Sequence, residues 1–346
     1  MRQCSVFILL LLLISCTRNA NQPFTEVVIE DVFVDSLSIR AIAPIDQDRV
    51  WFAANRGMVG LIDGNTPKLA TIKYEDSLLH FRSVAATEEA VFVLSIANPG
   101  VLYKIGFDGN DATNIEEVYV EKSENVFYDS MAFWNEKEGI AMGDPTDGCL
   151  SIIITRDGGN SWKKITCDDL PSTEKGEAAF AASNTNIALV NDEVWIASGG
   201  KRARVFHSGD KGVTWEVFET PILQGGAMTG IYSIDFFDEN TGVIFGGDWE
   251  RKDYNEGNKA FTTDGGKTWK LISNGTGPGY RSSVSFVPGT NGKALVAVGS
   301  QGISYSSDQG KSWSDLTTEG FYAIEFVNDS VAFASGQNRI SKLIFR

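Results

Sequence analysis

The stretches TRDGGNSW (155–162), SGDKGVTW (208–215), TTDGGKTW (262–269) and SSDQGKSW (306–313) share one pattern, Ser/Thr-x-Asp-x-Gly-x-Ser/Thr-Trp. Their aspartates, Asp157, Asp210, Asp264 and Asp308, lie 53, 54 and 44 residues apart. Near-constant spacing on that scale marks a chain built of repeated units. The residue types describe a turn. An aspartate side chain accepts backbone N–H bonds and closes the chain tightly, and the glycine takes a positive φ at little steric cost. The hydroxyls add local hydrogen bonds, and Trp162, Trp215, Trp269 and Trp313 each supply a large face to bury. We therefore read these positions as structural.

Two β-like runs precede each turn. YSIDFFD (232–238) and GVIFGG (242–247) come before Asp264; SVSFVP (283–288) and ALVAVGS (294–300) come before Asp308. The same pair recurs without a turn motif at IRAIAP (39–44) with VWFAAN (50–55), and at FRSVAA (81–86) with VFVLSI (91–96). Short runs between glycine-rich turns, without a helical period, predict an all-β chain and units of propeller-blade size. Counting first strands predicts seven blades, opening near Ser38, Phe81, Tyr128, Glu177, Tyr232, Arg281 and Tyr322, with six or eight as alternatives. The last unit has three strands before Arg346, so TEVVIEDV (25–32) is expected to complete it and close the ring.

The motif resembles the Asp-box, or BNR, repeat of sialidases, sortilin-like receptors and photosystem II assembly factors. With the loops MGDPTDG (142–148) and GGDWERKD (246–253) and the N-terminal segment, the chain resembles bacterial BNR-repeat lipoproteins over nearly all its mature length. It is more distantly similar to the photosystem II assembly and stability factor family, which implies a seven-bladed binding scaffold. Some relatives carry an oxidoreductase label, but no dinucleotide fingerprint, metal cluster or C-x-x-C pair stands behind one here.

At the N-terminus, MRQCSVFILLLLLISC has a basic Arg2 and an apolar run of signal-peptide length. It ends in Leu13-Ile14-Ser15-Cys16, which resembles a lipobox; an ordinary signal peptide cleaved near Ser15 is the alternative. We expect a signal over 1–15, a lipidated tether over 16–23 beginning at Cys16, and a single propeller over 24–346. The expected address is the bacterial envelope, lipid-anchored and facing the periplasm. No later stretch reaches the length of an apolar bilayer span. Cys4 leaves with the signal, so Cys149 and Cys167 remain. A hairpin turning at Gly158-Gly159 sets them opposite each other, and a disulfide there is worth about 3 kcal/mol. Two free thiols are the alternative.

The 346 residues carry 45 acids against 30 bases, a net charge of −15, which argues against a nucleic-acid backbone as partner. His80 and His207 are the only histidines and stand far apart, so neither a metal site nor a cofactor is expected. Aligning the first strands predicts a ring at one channel mouth: Arg40, Arg82, Asp129, Glu177, Tyr232, Arg281 and Tyr322. Loops on the same face add Asp144, Arg202, Asp248 and Trp249, while the Asp boxes fall at the other end. Arginine forks suit carboxylates. The expectation is a monomeric, non-catalytic binding or assembly propeller for an anionic glycan, peptide or protein. The alternative is a sialidase-like hydrolase. The resemblance to that family implies an arginine cluster of Arg40, Arg82 and Arg281, with Asp129, Glu177 and Tyr232 or Tyr322 in the chemical roles.

Overall fold

A computed structural model describes residues 22–346; the expected signal, Cys4 and Cys16 lie outside them. The described chain is an all-β propeller of antiparallel sheets. Second strands such as Arg49–Ala54 and Ala90–Ser95 are covered on both faces and read as near-continuous apolar runs. Outer strands face solvent, and Thr66–Thr71 is exposed throughout. Neighbouring sheets are joined by apolar clusters. Trp195 and Phe236 stack at 3.6 Å across one junction, and Phe92 and Phe133 at 4.5 Å across another.

Besides a two-stranded ribbon, the described residues form six sheets, which corrects the count of seven. The reason is the 18-residue strand Val27–Pro44. Its first part pairs with Val331–Phe345, from Val27 opposite Phe345 to Ser38 opposite Gln337. Its last residues pair with Arg49–Ala54, from Ile39 opposite Ala54 to Pro44 opposite Val50. The units counted first and last along the chain therefore share one six-stranded sheet.

The four boxes have one geometry. In the first, Thr155 Oγ1 donates to Asp157 Oδ1 at 2.9 Å, and the Ser161 amide donates to the same oxygen at 3.0 Å. Ser161 Oγ donates to Oδ2 at 2.6 Å, and the Gly159 amide donates to Thr155 Oγ1 at 2.9 Å. Asp210, Asp264 and Asp308 repeat this set. Gly159 sits at φ 73°, where a Cβ would lie 2.1 Å from the Phe92 ring. Each carboxylate is used up inside its own turn.

The sulfurs of Cys149 and Cys167 are bonded, with Cα atoms 5.5 Å apart. This bond ties the loop after Gly139–Gly143 to the segment that leads towards the channel.

Candidate ligand-binding mouth

Where a blade's innermost strand was expected near Glu177, the chain does something else. Glu177–Ala178 pair with Gly199–Gly200, and the regular inner strand begins only at Ile187–Val190. Residues 179–186 run through the channel instead, held from several sides. Arg40 Nη1 donates to the Ala182 carbonyl at 3.3 Å, and Arg82 Nη1 donates to the Ala181 carbonyl at 3.2 Å. Asn184 donates to the Val84 carbonyl and accepts from the Met131 amide, and Ser183 Oγ donates to the Ser282 carbonyl. The segment is a plug whose carbonyls dock two arginines.

Above the plug lies a cavity of about 370 Å³. Its lining includes Arg40, Arg82 and Asp144 together with the aromatic Phe180, Tyr232, Tyr280 and Trp249. Phe180 stacks on Tyr232 at 3.9 Å, and Tyr280 meets Tyr232 edge-on at 4.7 Å. Burial and the neighbouring Tyr280 hold the Tyr232 phenol far above its ordinary range, and its O–H donates to the Met228 carbonyl. Trp249 is 46% exposed at the rim, with Lys252 Nζ 4.9 Å from its ring.

Neither arginine has an ion-pair partner among the described residues. Arg40 lies over the Tyr322 ring at 4.1 Å, and its Nε is buried without a hydrogen bond. Arg82 Nε donates to His80 Nε2 at 3.2 Å. Burial, then the charges of Arg82 and Arg40, push His80 down to about 4, so the imidazole is neutral and accepts. Burial and Arg40 push Arg82 down to about 10, which leaves it charged at neutral pH.

Two carboxylates sit beside them. Burial raises Asp144 to about 6, against the opposing hydrogen bond from the Ala179 amide at 2.7 Å. Asp129 is completely buried, and no donor reaches it in hydrogen-bond geometry. Burial and then the Asp144 charge raise it well above its ordinary value; Arg82 and the amides of Ala181 and Asp144 only partly offset that.

The expected ring is thus half assembled. Arg40, Arg82 and Tyr232 line the cavity with Asp144 and Trp249, and Tyr322 supports Arg40 from behind. Asp129 lies beneath rather than at the surface. Glu177 turns away, because Arg204 grips it through Nε at 3.0 Å and Nη2 at 2.5 Å while Ser198 Oγ donates to it. Arg281 also turns away: it is buried, donates to the Tyr280 carbonyl and to Ser304 Oγ, and faces Asp315 at 3.7 Å. Arg202 pairs with Glu219 at the surface, and Asp248 caps its own loop through Arg251. The arginine triad of the hydrolase alternative is therefore not formed. Among the described residues no group of three or more His, Cys, Asp or Glu is placed to hold a metal ion. The plug carbonyls, Phe180 and Tyr280 escaped the sequence reading; the small-residue run Ala-Ala-Ser-Asn (181–184), unlike any other first strand, was the available signal.

Residues 108–221 match the model of the photosynthesis system II assembly factor YCF48 family. Residues 260–271 match the BNR/Asp-box repeat. No curated protein matches the chain. Among solved structures, YCF48 bound to a D1 peptide superposes with a TM-score of 0.65 at 15% identity, covering 94% of this chain and 98% of that one. YCF48 from Cyanidioschyzon merolae gives 0.64 at 16% identity, over 92% and 98%. A xyloglucanase of Xanthomonas campestris gives 0.63 at 12% identity, over 91% of this chain but 53% of that one. At such identities the likeness establishes the propeller fold and nothing finer.

Proposed function

We propose that this protein is a non-catalytic binding propeller that holds an anionic polypeptide segment of a client protein in the cavity above the plug. The observation that carries the reading is Arg40 and Arg82, without an ion-pair partner among the described residues, lining a cavity of about 370 Å³ together with four aromatic side chains. Bidentate capture of a carboxylate would relieve both arginines, and the aromatic side chains offer area to an adjacent apolar side chain. The YCF48 structure with a D1 peptide supports a peptide rather than a glycan as occupant. In this reading the pairing of 27–34 with the last strand closes the ring, and a lipid on Cys16 holds the protein in the envelope.

The test is retention on an array of immobilised peptides graded by aspartate and glutamate content. The native chain should retain acidic peptides. Arg40→Ala with Arg82→Ala should lose them by about tenfold or more, with the melting temperature within a few degrees. Equal retention by the double variant rejects the reading.

A further inference from the structure

A second cavity, of about 340 Å³, opens at the other end of the channel. Two successive layers of the inner strands line it. The deeper layer is Ile42, Val84, Met131, Ile187, Ile234, Val284 and Ile324. The next residue along each strand gives Ala43, Ala85, Ala132 and Ala188, then Asp235, Ser285 and Glu325. Four alanines on one side leave the space; two carboxylates flanking a serine face it from the other. Asp235 and Glu325 are the only charged residues among those lining the cavity, and neither has a cationic partner among the described residues.

The two carboxylates differ in what holds them. Asp235 is fixed, accepting the Phe236 amide at 2.9 Å and the Phe286 amide at 2.7 Å. No described donor hydrogen-bonds to the Glu325 side chain. Both are only part-exposed, in a funnel whose part-exposed apolar side chains are Ala43, Pro44, Ala132 and Leu189. Burial raises Asp235 to about 6; burial and the Asp235 charge raise Glu325 to about 8. An uncompensated pair of this kind is relieved by a cation, and the part-exposed Pro44 and Leu189 favour one that carries hydrocarbon.

We propose that this second cavity binds an alkylammonium group, presented by a lysine side chain of a partner or by a free aliphatic amine. The ammonium reaches the arc of Asp235, Ser285 and Glu325, and the aliphatic stem lies along Pro44 and Leu189. A bare metal ion leaves Pro44 and Leu189 unused. A neutral alcohol leaves the carboxylates unpaired. The cavity's carboxylates are separate from the arginine mouth, and Asn184 and Thr185 of the plug also line the cavity.

The probes are n-butylammonium, its neutral match n-butanol, Nα-acetyl-lysine methylamide and 1,5-diaminopentane, titrated calorimetrically into the full chain. Butylammonium should bind about tenfold tighter than butanol, and Glu325→Gln should remove that advantage while the chain still melts cooperatively. Because Glu325 holds its proton at neutral pH, binding should release protons, and affinity should rise from pH 6 to pH 8.5. Tighter binding of the lysine derivative points to a partner's side chain, and tighter binding of the diamine to a free amine. The proposal is overturned if butylammonium binds no better than butanol, if Glu325→Gln and Asp235→Asn both retain it, or if calcium binds and the amine does not.

Discussion

At the scale of single residues, the boxes and the mouth show two uses of aspartate. A box aspartate spends both oxygens on its own turn, so its neighbours decide stability rather than binding. Trp269 is 7% exposed and meets Phe236 edge-on at 6.0 Å. Trp269→Ala should therefore cost about 3–5 kcal/mol in urea unfolding. Its indole nitrogen has no hydrogen-bond partner, so Trp269→Phe should cost far less. At the mouth, Asp144 lines the same cavity as the arginines, and burial raises it to about 6. Its raised value means that the ionised form is the unfavoured one, and an anionic ligand disfavours it further. Protonation below pH 6 removes a competing negative charge from the cavity that Arg40 and Arg82 line. Acidic peptides should accordingly bind more tightly at pH 5 than at pH 7.5, as fluorescence anisotropy would show, and Asp144→Asn should flatten that dependence. A steady or opposite trend in the native chain would mean that Asp144 does not face the ligand.

Among the elements, the segment 179–186 decides the mouth, and its anchor is Glu177. That carboxylate is fully covered and bound by Arg204, whose own side chain is 9% exposed. Glu177→Gln leaves a buried guanidinium without its counter-charge, a loss of about 3–5 kcal/mol. It should also free the plug carbonyls from their register with Arg40 and Arg82. Hydrogen exchange should then quicken at 177–186 before the remaining sheets open; uniform quickening everywhere would assign Glu177 to global stability alone. Outside the plug, the sequence announces where the inner strands begin, because the strands repeat. It does not announce which way a long side chain leaves. Arg281 swings outward to Ser304 past Gly299, where a Cβ would lie 3.1 Å from its Cδ. That glycine is the only local hint. The plug defeats the alignment for another reason: the hydrogen bonds that tie it to Asp144, Met131, Arg82, Val84 and Arg40 span 35 to 142 residues of chain, so no short-range pattern encodes them.

For the whole molecule, repetition makes the fold legible and the seams obscure it. Turn chemistry is local, so eight residues suffice to identify a box, and period-two apolar runs identify the strands around it. The join between the chain's ends is non-local, which is why counting units along the sequence separates first from last while backbone pairing runs them into one sheet. That seam carries a prediction of its own. Residues 24–34 cover Ile340, Leu343 and Phe345, all buried, and Phe24 stacks on Phe345 at 5.0 Å. Deleting 22–34 removes the ladder from Val331–Phe345 and leaves an unpaired edge with apolar side chains beside it. An edge of that kind pairs with other chains. The truncated protein should run as dimers and larger species in size exclusion and lose its single cooperative melt. If it remains monomeric and melts within a few degrees of the intact chain, the ring is held by sheet-to-sheet packing and the seam is dispensable.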